Sequence, residues 1–176
     1  MTSLPGEYLS RLEAIHRQVD GLAASLAAEC GEGLVCRRGC CDCCSDDLTV
    51  LEIEARLIEA RFAGLLREGK PAPQGRCAFL DDQGACRIYA ARPYVCRTQG
   101  LPLRWLEDGP PPTEHRAICP LNRTAMVELG ETPEILPADR CWTLGPFEGR
   151  LASLQAEASG RFEPVRLALR SLFKNS

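Results

Sequence analysis

Eleven cysteines stand in a chain of 176 residues, and six of them fall between Cys30 and Cys44. The dense run reads Cys36-Arg37-Arg38-Gly39-Cys40-Cys41-Asp42-Cys43-Cys44. Two or three residues between cysteines let both sulfurs turn back onto one ion, about 2.3 Å from each. Cys36 with Cys40 and Cys40 with Cys43 have that spacing, and Gly39 suits the tight, positive-φ turn such a knuckle needs. Neighbouring side chains diverge, so Cys43 and Cys44 are expected to serve two metals, or different irons of one cluster. A second set, Cys77, Cys86 and Cys96, follows at spacings of nine and ten. Cys119 would bring the ligands to eight, enough for two four-sulfur sites, while Cys30, Cys41 and Cys141 receive no role. The chemistry indicated is thiolate coordination of zinc or of an iron–sulfur cluster.

The surroundings agree. Arg37, Arg76, Arg87, Arg97 and Arg140 each lie beside a cysteine. Guanidiniums there would lower thiol pKa values and offset the negative charge of a thiolate site. The two histidines, His16 and His115, read as surface or partly buried residues rather than ligands. An odd cysteine count cannot pair completely within one chain. The first residues carry Glu7, Arg11, Glu13 and Arg17 and lack a continuous apolar core, so no secretory signal is expected. Leu26-Ala27-Ala28-Glu29-Cys30 superficially resembles a lipoprotein processing site, but Glu29 stands where a small residue belongs. No apolar run reaches membrane-spanning length. A cytoplasmic location follows as the expectation, and there clustered thiols serve metal or redox chemistry more often than disulfides.

The formal net charge of −3 and the absence of a basic, aromatic-rich stripe argue against nucleic acid as a partner. Nucleotide-binding glycine fingerprints and the His-Glu-x-x-His signature are absent, so whether the protein is an enzyme stays open.

The elements that must position the thiols are mainly helical. Tyr8, Leu12, Ile15, Val19, Leu22 and Leu26 form one apolar stripe, which predicts a helix over 7–29. Thr49 and Glu52 have capping-box spacing and predict a helix from there to about Glu68, stopped by Gly69-Lys70-Pro71. Cys77–Leu80 and Ala85–Tyr89 flank the turn Asp81-Asp82-Gln83-Gly84 and read as a short hairpin. Residues 94–106 are mixed, 108–112 form a loop, and 113–145 support no firm assignment. A last helical region is expected over 147–173, kinked or split at Gly160 and Pro164. At 45% apolar residues the composition is that of a globular domain. The expected architecture is mainly α with a small β-hairpin: a single domain over 1–176, organised around a cysteine-rich metal centre with its core at about 30–120.

Two motifs resemble the YkgJ-like cysteine-cluster family, a zinc- or iron-chelating domain. Its C-x-x-C-x-x-C-C run is matched by Cys36, Cys40, Cys43 and Cys44, with three residues in the first gap. Its C-x-F-L…C-x-I-Y-x-x-R-P-x-x-C-R block is matched by Cys77, Phe79, Leu80, Cys86, Ile88, Tyr89, Arg92, Pro93, Cys96 and Arg97. Cys41 is an additional thiol inside the first motif, and Ala90 stands where the family often has glutamate. The resemblance implies that Cys36, Cys40, Cys43, Cys44, Cys77, Cys86 and Cys96 face the metal. It implies that Arg92 and Arg97 are cations behind the ligands or facing a substrate, and that Tyr89 packs with its polar tip free. Members are described as zinc-binding and as iron–sulfur proteins, so the resemblance leaves the metal open. Three functions remain: a structural and interaction module with a protein partner, an iron–sulfur redox or catalytic protein, and a metal storage, delivery or sensing protein.

Overall fold

In the computed structural model, residues 5–37 and 39–174 are described; the ends of the chain and Arg38 of the cysteine run lie outside this set. Helix α1, Gly6–Cys30, is the spine of the molecule. Its stripe faces inward as the spacing requires: Leu12 and Val19 are fully buried and Ile15 and Leu26 nearly so. Leu22 is 48% exposed and Ala23 is buried in its place. A helix of 3.6 residues per turn drifts off a strict seven-residue repeat, and the inward face moves one position along.

Strand β1, Thr49–Leu51, precedes α2, Glu52–Arg61, and α3, Ala63–Glu68. The capping box expected at Thr49 is therefore displaced. Glu54 caps the helix instead, its Oε2 accepting from the Leu51 amide at 3.3 Å, while the Thr49 hydroxyl accepts from Arg166 Nε at 3.0 Å. Thr49 belongs to a two-stranded antiparallel sheet with β5, Arg166–Ala168, in the register Thr49↔Ala168 and Leu51↔Arg166. The last helical region is corrected likewise. Helix α6 covers Pro146–Ser159 and stops at Gly160, which takes the left-handed cap conformation at φ 67°. Beyond it lie β5 and a 3-10 turn, Leu169–Leu172.

The expected hairpin over 77–89 reduces to one antiparallel bridge, Leu80↔Cys86, around a turn whose Asp81 Oδ1 accepts from the Gln83 and Ala85 amides. A larger hairpin lies further on. Helix α4, Tyr94–Thr98, leads into β2, Leu103–Glu107, which pairs antiparallel with β3, Thr113–Ala117, and parallel with β4, Trp142–Thr143. Helix α5, Pro120–Glu128, connects β3 to β4 through two 3-10 turns.

Three apolar clusters result. The first joins α1, α2, α4 and α6 through Leu12, Val19, Leu57, Tyr94, Leu151 and Leu154. Buried Gln155 ties α6 into it, accepting from the Ile53 amide and donating to the Val165 carbonyl. The second gathers Val50, Ile58, Phe79, Ile88, Leu169 and Phe173, with the Phe79 and Phe173 rings 5.0 Å apart. The third is small: Cys30, Met126, Leu136 and Cys141.

Candidate metal centre

Between the 3-10 turn Gly31–Gly33 that follows α1 and the start of β1, the described residues 34–37 and 39–48 form neither helix nor strand. The shape of this loop comes from two consecutive tight turns, with the Cys40 amide on the Arg37 carbonyl and the Cys44 amide on the Cys41 carbonyl, both at 2.9 Å. Gly39 sits at φ 87°, as a knuckle there requires. The loop is then pinned from outside. The Cys77 amide donates to the Cys44 carbonyl at 2.9 Å. Asp46 accepts from the Gly75 amide and from Arg170, which also binds the carbonyls of Ala72, Pro73 and Arg76. The Arg170 guanidinium holds the Asp46 carboxyl below the ordinary carboxylate range.

These constraints bring thiols from separate segments together. Cys44, Cys77 and Cys96 lie within electrostatic reach of one another, and Cys86 joins Cys77 and Cys96. Cys36 lies within reach of Cys40 and Cys119. Cys43 borders both groups, since it acts on Cys36, on Cys44 and on Cys96. The adjacent Cys43 and Cys44 thiols interact through a hydrogen bond. That hydrogen bond holds Cys43 low, at about 6, and pushes Cys44 up. Burial, reinforced by the neighbouring thiols, raises Cys96 to about 12, and burial also raises Cys36, Cys77 and Cys86.

Sulfurs around one zinc ion stand only about 3.8 Å apart if each bond is about 2.3 Å in a tetrahedron. Among the described residues no three His, Cys, Asp or Glu side chains converge that tightly as they stand. The donor set still fits such an ion. The groups are all thiols, burial and the neighbouring thiols Cys77, Cys86 and Cys43 raise Cys96, and a cation is what reverses that sign.

Residues 35–111 match the CxxCxxCC family, "Putative zinc- or iron-chelating domain". The matched segment contains seven of the eight candidate ligands. Cys119 lies beyond its end and is joined to it by its approach to Cys36. No curated protein and no solved structure matches the chain significantly. Among the described residues no helix is long and apolar enough to cross a membrane.

Within the CxxCxxCC segment the arginines behave differently from expectation. Arg87 donates to the carbonyls of Lys70, Ala78 and Phe79, and Arg97 to Asp20 and the Ala90 carbonyl. The pull of Arg87 on Cys77 and Cys86 is outweighed by burial, so these thiol pKa values rise where the sequence suggested a fall. Arg92 also pairs with Asp20 and lies 4.1 Å over the Tyr89 ring, which is 65% exposed rather than packed in the core. Arg76 reaches Cys41 Sγ at 3.9 Å, on the side where a Cβ at Gly84 would stand 3.4 Å from that sulfur.

The histidines divide. His115 stacks on Trp105 and binds Glu107 at the partly exposed β2–β3 hairpin. His16 is 3% exposed, correcting the surface reading, and its Nε2 lies 3.2 Å from Glu54 Oε1.

Two residues behind Cys36 escaped the sequence reading. Asn122, fully buried on α5, donates to Cys36 Sγ at 3.2 Å and to the Gly100 carbonyl at 2.7 Å, and accepts from the Val35 amide. Gly100 has φ 97°, and a Cβ there would fall 2.8 Å from Cys36 Sγ. The only sequence signal for Asn122 is its position one helical turn after Cys119.

Proposed function

We propose that this is a cytoplasmic metal-binding protein in which Cys36, Cys40, Cys43, Cys44, Cys77, Cys86, Cys96 and Cys119 hold zinc or an iron–sulfur cluster, chiefly as a structural and interaction module. The observation that carries the reading is the mutual approach of thiols from separate stretches of chain: Cys43 acts on Cys36, Cys44 and Cys96, Cys77 and Cys86 act on Cys96, and Cys119 acts on Cys36. Bound zinc would cross-link these stretches and balance their charge; an iron–sulfur cluster would add a one-electron couple. The chain's own part is structural. Asn122 and the Gly100 turn seat Cys36, the Cys44–Cys77 backbone bond sets the two motifs in register, and Arg170 closes the loop onto residues 72–76.

A redox or catalytic role is the second reading. Cys41 favours it, as a thiol beside the centre whose polar neighbour is an arginine. Cys40→Ser and Cys86→Ser should each lower metal content and melting temperature, since binding energy at such a site is folding energy. Unchanged stoichiometry and melting temperature in both variants would refute this placement.

A further inference from the structure

The sheet order β3–β2–β4 leaves β3 on the outside, and among the described residues β2 is the only element packed extensively against it. Which of its backbone groups are free follows from β4. The Trp142 and Leu144 amides donate to the Pro102 and Arg104 carbonyls, so the even-numbered residues of this stretch aim their peptide groups at β4. Leu103, Trp105 and Glu107 therefore aim theirs at β3, where the register sets them opposite Ala117, His115 and Thr113. Glu114 and Arg116 are left pointing outward, and their backbone N–H and C=O groups have no partner among the described residues. An edge of this kind is a template for a further strand.

The charges on this edge select the strand that fits it. Pro112 before β3 and Pro120 after it cannot donate to a ladder, so pairing is confined to a short stretch. Within that stretch the outward residues are one acid and one base, and ion pairs with Arg104 and Arg116 hold the Glu114 carboxylate in place there. Antiparallel pairing of β3 with its own copy can set Glu114 against Glu114 or Arg116 against Arg116, which opposes like charges. Centred on His115, it sets Glu114 against Arg116 at both ends of the pairing, and each such pair exchanges reciprocal N–H···O bonds. His115 then lies on the two-fold axis. Its ring stacks on Trp105, with centroids 5.4 Å apart, and stays partly exposed, so the Trp105–His115 stacks of the copies come side by side on one face.

We propose that a second copy of this chain docks along β3, antiparallel and centred on His115, so that the sheet continues from one copy into the other. Glu114 of each copy exchanges backbone bonds and charge with Arg116 of the other. The surface belongs to the β2–β3 hairpin and does not depend on which metal the thiols hold.

Sedimentation of the full-length, metal-loaded protein over a concentration series should show reversible dimerisation. Hydrogen exchange over the same series should find the Glu114 and Arg116 amides unprotected in dilute protein and protected in concentrated protein. The His115 amide, which points at β2, should be protected in both. Glu114→Pro removes an outward amide and no bond to β2. By symmetry the dimer loses that bond twice, so association should weaken about tenfold or more while melting temperature and metal content hold. Glu114→Arg and Arg116→Glu should each oppose like charges and stay monomeric, and an equal mixture of the two should associate as a heterodimer. The proposal is overturned if the protein remains monomeric up to millimolar concentration, if a dimer survives Glu114→Pro, or if protection of the Glu114 and Arg116 amides does not change with concentration.

Discussion

The half of the molecule built on α1 and the half built on the cysteine loop are held together by different forces. Around α1, four helices interlock through fully or nearly fully buried apolar side chains, and the buried carboxylate of Glu54 and amide of Gln155 bind backbone amides. Residues 34–48 have no such resource. Their order comes from two turns, the backbone bonds of Cys44 to Cys77 and of Leu48 to Leu169, the Val35–Asn122 bond and the Asp46–Arg170 pair. The helical half resembles an ordinary core that stands by itself. The loop half is arranged as a ligand set whose cohesion a metal would complete.

Chelation should separate the halves most sharply, since a structural zinc site supplies on the order of 10–16 kcal/mol in small zinc domains. Hydrogen exchange should then show amides of 36–48 and 77–98 losing protection while those of α1 and α6 keep theirs. Equal loss everywhere would show that the halves fold as one unit. Leu12→Ala tests the other half and should cost about 2–5 kcal/mol in denaturant titrations without changing metal stoichiometry. Asn122→Ala acts at the seam. It removes the donor to Cys36 Sγ and strands the Val35 amide, so a loss of about 1–3 kcal/mol is expected, together with weaker metal retention. Stability lost with metal retention unchanged would make Asn122 a core residue only.

The smallest effect lies in pH. Cys96 is raised from 9.0 to about 12 in the folded chain, so its contribution is fully present below about 9 and is lost as pH rises towards 12. Metal-free protein should therefore unfold more readily across that window. Metal-loaded protein, whose ligands are already ionised, should not, and identical profiles for the two forms would argue against Cys96 as a ligand.

The sequence made the first helix and the thiol blocks legible because both rest on local spacing. The stripe from Tyr8 to Leu26 needs only its own periodicity, and Cys77, Phe79, Cys86, Tyr89 and Cys96 stand in register within one short stretch. The failures come from partners distant in sequence. Thr49 has the chemistry of a helix cap, but Ala168 recruits it into a sheet. Val165, Leu169 and Leu172 have helical spacing, yet Val165 leads into a strand and Leu169 and Leu172 form a 3-10 turn. The β2–β3 hairpin is only partly buried on either strand, so no clean alternation announces it. Asn122 and His16 were illegible for the same reason: each acquires its role only when a segment distant in sequence meets it, the Val35–Cys36 loop and the Gly100 turn for Asn122 and α2 for His16.

The central claim is that the clustered thiols form a metal centre. The most direct measurement is an ultraviolet–visible spectrum of protein purified without oxygen, with zinc, iron and acid-labile sulfide determined on the same sample. The account expects stoichiometric metal: a colourless zinc protein, or a brown one absorbing near roughly 400 nm with iron and sulfide together. A folded protein without bound metal, all eleven thiols free to react, would contradict it.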